Sequence, residues 1–153
     1  MANRADLAVR IHHAKEHNCL IEVISLRIQY IDVWLRIFFE NKPHTGERER
    51  EFGRLLRQCF ELGLEKNLYD RLVQFNKERV KAIHGYLLGL IAYERLRDVV
   101  AESDGLAEAL TEFVLINSGE VVTEDFERQH HNRGDAVYHV PNLLAQLRSR
   151  PAL

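Results

Sequence analysis

The sequence predicts an all-α protein, an antiparallel bundle of four to five helices. Apolar residues recur at spacings of three and four through each long segment, the pattern of a helix with a buried face. The breaks between these segments carry glycine, proline or residues able to cap a helix. With 46 % hydrophobic residues in 153, the chain can bury a core without disulfides or a structural metal.

The first 17 residues are amphipathic and hold His12, His13 and His17, read here as solvated side chains near a fraying terminus. His13 and His17 stand at the spacing that lets two imidazoles share a metal on one helix face, with His12 and Glu16 adjacent, but solvated side chains are the better reading; His130 and His131 lack a carboxylate or cysteine at ligand spacing, and no metal or other cofactor is expected. Residues 18–40 form a buried helix. One stripe runs Leu20, Ile24, Ile28, Ile31, Leu35, Phe38 and a second Val23, Leu26, Tyr30, Trp34, Ile37, so protein should cover two faces. Glu22, Arg27, Gln29, Asp32 and Arg36 interrupt the run too often for a membrane span.

Pro43 and Gly46 mark a turn, after which Thr45 can cap a helix over 47–62 with the stripe Phe52, Leu55, Leu56, Cys59, Phe60, Leu62, stopped by Gly63. A third helical stretch opens near Glu65 and continues to Leu96. Gly85 and Gly89 interrupt it, and a bend or boundary is expected between Asn76 and Gly85. The two glycines also make a small-x3-small pattern that suits close helix packing, in the core or at a dimer seam. A further helix covers 106–117 on the stripe Leu106, Leu110, Phe113, Val114. Residues 1–118 thus form the bundle, and 119–153 a polar appendage ending in a short helix after Pro141, where Leu143, Leu144 and Leu147 can dock.

The charge balance, 21 basic against 23 acidic residues, rules out general attraction to nucleic acid or an anionic membrane; any such site is a local patch. Cys19 and Cys59 belong to no paired-cysteine motif, and the N-terminus lacks the charged start, apolar core and cleavage site of a secretory signal. A reduced cytoplasmic setting is expected.

The segment 76–86, Asn-Lys-Glu-Arg-Val-Lys-Ala-Ile-His-Gly-Tyr, sets Arg79, His84 and Tyr86 close together in the core region. Arg79, four residues, His84 resembles the motif of the HEPN family, and the added Tyr86 resembles the Arg-x4-His-x-Tyr form of HEPN toxins that pair with a minimal nucleotidyltransferase antitoxin. The likeness of helix count and order runs over about 18–117, and the residue-level match over about eight positions.

The resemblance implies a homodimeric, metal-independent endoribonuclease acting on RNA as a toxin or defence effector, with Arg79 and His84 of two protomers meeting at a cleft. An arginine fork can hold the scissile phosphate, and a histidine can move a proton to or from the 2′-hydroxyl or the 5′-oxygen. Asn76, Glu78 and Lys81 are candidate supporting or RNA-binding residues, Lys77 adds to a basic rim, and Tyr86 is the candidate for nucleotide modification by the antitoxin partner. On an unbroken helix Arg79 and His84 stand about 140° apart, so either the helix breaks between them or two protomers assemble the site. Val80 departs from the family pattern, in which a small polar residue often follows the arginine.

Two rival readings belong to other classes. One is a non-catalytic HEPN module that binds RNA, a nucleotide or a protein partner. The other is a plain helical interaction protein, with Arg79 ion-paired at the surface and His84 a satisfied structural histidine.

Overall fold

The computed structural model describes residues 4–118, and among them it contains helices and no strand. The helices are α1 (Arg4–Glu16), α2 (Leu20–Glu40), α3 (Phe52–Glu61), α4 (Lys66–Leu87), α5 (Arg95–Glu102) and α6 (Leu106–Ser118). They form the all-α bundle that the apolar periodicity predicts. The expected appendage over 119–153 lies outside the described residues. Among the described residues no helix is long and apolar enough to cross a membrane.

α2 is the central element and packs against each of the other five helices. Its two apolar stripes explain this: Ile24, Ile31, Leu35 and Phe38 on one, Val23, Trp34 and Ile37 on the other, are all buried. Each such side chain removed from water contributes about 1.5–3 kcal/mol. Leu55, Leu56 and Cys59 of α3, Leu68, Leu72 and Phe75 of α4, Leu96 and Val100 of α5, and Leu106, Leu110 and Val114 of α6 complete the core.

Arg27, one of the charges that interrupt the apolar run of α2, is itself buried, at 5 % exposure. Its Nη1 donates to the Val100 carbonyl at 2.8 Å and to Ser103 Oγ at 2.7 Å, and its Nη2 to Asp104 Oδ1 at 3.3 Å. Lys15 of α1 reaches the same Asp104 oxygen at 3.1 Å. Burial pushes the Arg27 pKa down, and the charges of Asp104 and Glu108 act against that shift.

Three local expectations are corrected. The N-terminal stretch is an ordered helix rather than a frayed end: α1 packs along α2 and buries Leu7 and Ala14. The helix expected over 47–62 is α3 and begins at Phe52, not at residue 47. Gln58 holds the preceding segment out of helical register, accepting from the Glu49 amide at 2.9 Å and donating to the Glu47 carbonyl at 3.1 Å. Finally, α4 runs unbroken through 76–85, and the chain turns at Gly89 instead, whose φ of +71° suits glycine. There Leu90 N donates to Gly85 O at 2.8 Å and Gly89 N to Tyr86 O at 2.9 Å, a paired C-terminal cap that satisfies two free carbonyls. This turn lays Ile91 over Gly85, where a Cβ would stand 3.3 Å from its side chain. Gly85 is therefore a packing glycine inside the helix, and Gly89 lies beyond its end. α5 follows as a separate short helix.

Replacing Arg27 with Met is expected to cost about 2–4 kcal/mol, read by urea unfolding, because Ser103 and the end of α5 lose charge-assisted bonds in a buried setting. Cys59 supplies a second test. Its Sγ donates to the Leu35 carbonyl at 3.3 Å, and burial, followed by the charge of Asp32, pushes the thiol up from 9.0 to about 12. The unfolded thiol therefore ionises first. The contribution is complete below pH 9.0 and is lost as pH rises toward about 12, a slope that Cys59→Val should remove from stability measured against pH.

Candidate functional site

The sequence-derived candidates all lie on α4, a continuous helix of 22 residues. Leu68, Leu72, Phe75 and Ala82 define its inward face. At about 100° per residue, Arg79 and Tyr86 fall on that same face, within about 20° of each other. Both are half-buried, since they lie toward the end of the helix where the core thins. His84 stands about 140° around the axis from Arg79 and is exposed. One chain alone therefore does not bring the arginine and the imidazole to a common point.

Arg79 is held by Asn76, whose Oδ1 accepts from Arg79 Nε at 3.0 Å one helical turn away. No carboxylate pairs with Arg79 among the described residues, and burial lowers its pKa. A guanidinium remains charged under such a shift, so the group is a partly desolvated cation with free donor capacity. Asn76 itself lies near the start of α3: a Cβ on Gly53 would be 4.0 Å from its Nδ2.

Glu78 does not join this group. It accepts from Gln74 Nε2 at 3.1 Å and lines a small cleft of about 130 Å³ with Arg71, Phe75, Glu102 and Leu106. Lys81 is exposed on the outer face beside His84, together with Lys77. Val80, the departure from the motif, is 40 % exposed on that face.

The Tyr86 ring meets Tyr93 edge-on, with centroids 5.4 Å apart, and its hydroxyl makes no hydrogen bond among the described residues. Tyr93 is the structural member of this pair. Its hydroxyl accepts from Leu20 N at 2.7 Å and donates to Asn18 O at 2.6 Å, partnering an amide of the first turn of α2 that no side chain at Cys19 caps.

The rings of His13 and His17 stack with centroids 5.4 Å apart, and His17 Nδ1 donates to the His13 carbonyl at 2.8 Å. Among the described residues no group of three or more His, Cys, Asp and Glu is placed to hold a metal ion. A larger cleft of about 430 Å³, absent from the sequence reading, opens between the end of α2 and α3, lined by Phe39, Pro43, His44, Gln58, Glu61 and Leu62. Its residues come from three separate segments, so no local motif announces it. Its histidine is already engaged: His44 packs on Phe39 and its Nδ1 donates to the Lys42 carbonyl at 2.9 Å. Compared with protein-family models, curated proteins and solved structures, the chain matches none.

The two tyrosines should separate cleanly by mutation. Tyr93→Phe strands the Leu20 amide and is expected to cost about 1–3 kcal/mol in urea unfolding, whereas Tyr86→Phe should stay within about 0.5 kcal/mol.

Proposed function

We propose that the chain is a HEPN-like, metal-independent endoribonuclease that acts as a toxin or defence effector and whose catalytic site is completed by a second copy of itself. The supporting observation is the placement of Arg79 and His84 on one unbroken helix. The arginine is half-buried and unpaired by any described carboxylate, and the histidine lies exposed on another face. Two protomers related by a two-fold axis can supply to one phosphate what each alone holds apart.

In this reading Arg79 binds the scissile phosphate and stabilises the charge that builds on its oxygens. Asn76 fixes the guanidinium, leaving the terminal nitrogens for substrate. The His84 imidazole of one protomer takes the proton from the 2′-hydroxyl, whose oxygen attacks phosphorus. The P–O bond to the 5′-oxygen breaks, that oxygen takes a proton from a solvent water, and the imidazolium returns its proton to the hydroxide so formed. The products are a 2′,3′-cyclic phosphate and a 5′-hydroxyl. Lys77 and Lys81 contribute phosphate contacts along the same face. Tyr86, with no hydrogen bond to its hydroxyl among the described residues and on the same helix face as Arg79 two turns away, is the residue a nucleotidyltransferase antitoxin would modify, placing a bulky anion beside the cleft.

One observation favours a second reading, a non-catalytic module that binds RNA, a nucleotide or a protein partner. Val80 stands directly after Arg79 in sequence, where the family pattern often has a small polar residue, and is an exposed apolar side chain.

Incubating labelled mixed-sequence RNA with the protein in EDTA tests these readings. Wild type is expected to cut, and Arg79→Ala and His84→Ala, each still folded, to lose about 10²–10⁴-fold in rate. Mixing the two inactive variants should recover roughly a quarter of wild-type activity, because half the dimers are mixed and each carries one intact Arg–His pair. No recovery would place the pair within single protomers. An inactive wild type that still binds RNA would favour the non-catalytic module.

A further inference from the structure

α4 presents to solvent a face that is both apolar and basic. Val73, Val80 and Leu87 repeat every seven residues, so they line up within about 40° along the helix. The turn that follows adds Leu88 and Leu90, and Leu87, Leu88 and Leu90 are 69 %, 73 % and 76 % exposed. Lys77, Lys81 and His84 flank this stripe. None of the three has a side-chain hydrogen bond or ion pair among the described residues, although exposed pairs such as Lys66 with Asp70 at 2.7 Å form elsewhere on the same helix. Between Val73 and Leu88 the only acid is Glu78, which points toward the opposite cleft and bonds Gln74. Contiguous exposed apolar surface of this kind marks a binding site.

The complementary chemistry stands in the same chain. Residues 120–127 read Glu-Val-Val-Thr-Glu-Asp-Phe-Glu, four carboxylates interleaved with Val121, Val122 and Phe126 and without a basic residue. α6, which packs against α4, ends at Ser118 immediately before them. Leu106 at the start of α6 lines a cleft with Phe75 and Glu78 of α4, and α6 is about 20 Å long. A chain of nine residues reaches at most about 30 Å, so from the end of α6 the far part of 119–127 is within reach of the middle of α4.

We propose that the outer face of α4 is the docking surface for this chain's own acidic segment 120–127, whose apolar side chains cover the Val73–Val80–Leu87 stripe while its carboxylates pair with Lys77, Lys81 and His84. A second copy of α4 suits the face less well, since direct contact would set lysines against lysines. The proposal does not rest on the ribonuclease reading. If both hold, segment 120–127 and RNA phosphate compete for one face, and the acidic segment restrains the site.

Zero-length carbodiimide crosslinking of the full-length chain, an equal mixture of ¹⁵N-labelled and unlabelled protein at low salt, tests the proposal by peptide mass mapping. Amide links from Lys77 or Lys81 to Glu120, Glu124, Asp125 or Glu127 are expected between peptides of matched label, falling several-fold in high salt. The exposed Lys66–Asp70 pair serves as an internal control for the chemistry. Control links without links from 120–127 to α4, or links spread evenly over Lys15, Lys42 and Lys66, would overturn the proposal, as would links joining labelled to unlabelled chains.

Discussion

The packing of this bundle turns on the one cation buried among the described residues, Arg27. A guanidinium inside an apolar helix costs several kcal/mol in lost hydration unless its donors are satisfied. Here the last turn of α5 supplies the Val100 carbonyl and Ser103 Oγ, and the turn into α6 supplies Asp104. The benefit is mutual, because the final carbonyls of a helix lack partners of their own and α5 is only eight residues long. Asp104 then takes Lys15, so α1 is tied to the same point. A short helix that would be marginal alone is thereby set against α2, and its position governs where α6 begins and how α4 is covered.

Cover is what distinguishes the two halves of α4. Its first half is buried by Leu68, Leu72 and Phe75, with α3, α5 and α6 around it. Its second half has a thinner roof of Ile91 over Gly85 and Tyr93 beside Tyr86. Arg79 falls at the change between them. It is buried enough to lose part of its hydration and open enough to keep donors available, the setting in which a cation binds an anion most strongly. A fully buried arginine, like Arg27, has its donors spent on the fold.

The fold was legible wherever a side-chain pattern answered to one helix alone. The double stripe of α2, the stop at Gly63 and the extent of α6 follow directly from apolar spacing and cap chemistry. Partners distant in sequence hid the rest. Gln58 delays α3 by bonding nine and eleven residues back, and Ile91 makes Gly85 a contact instead of a break. Arg27 read as an interruption because its three partners lie 73 to 77 residues away. The candidate site was legible as a list of residues on one helix; Glu78, adjacent to Arg79 in sequence, faces another cleft because neighbours on a helix stand about 100° apart.

The continuity of α4 carries the final step. A break in the helix between Arg79 and His84 would have let one chain fold its histidine back toward its arginine, at the expense of holding neither firmly in place. The unbroken run of α4 from Lys66 to Leu87 removes that freedom and leaves a rod with Arg79 and Tyr86 on one side and Lys77, Lys81 and His84 on the other. Groups fixed on a rigid helix hold their relative positions more closely than groups on a loop. What a rod cannot do is bend both faces to one ligand, so chemistry that needs both must bring in a second surface. In the proposed reading a second copy of the chain is that surface, its His84 brought by a two-fold axis to the first protomer's Arg79.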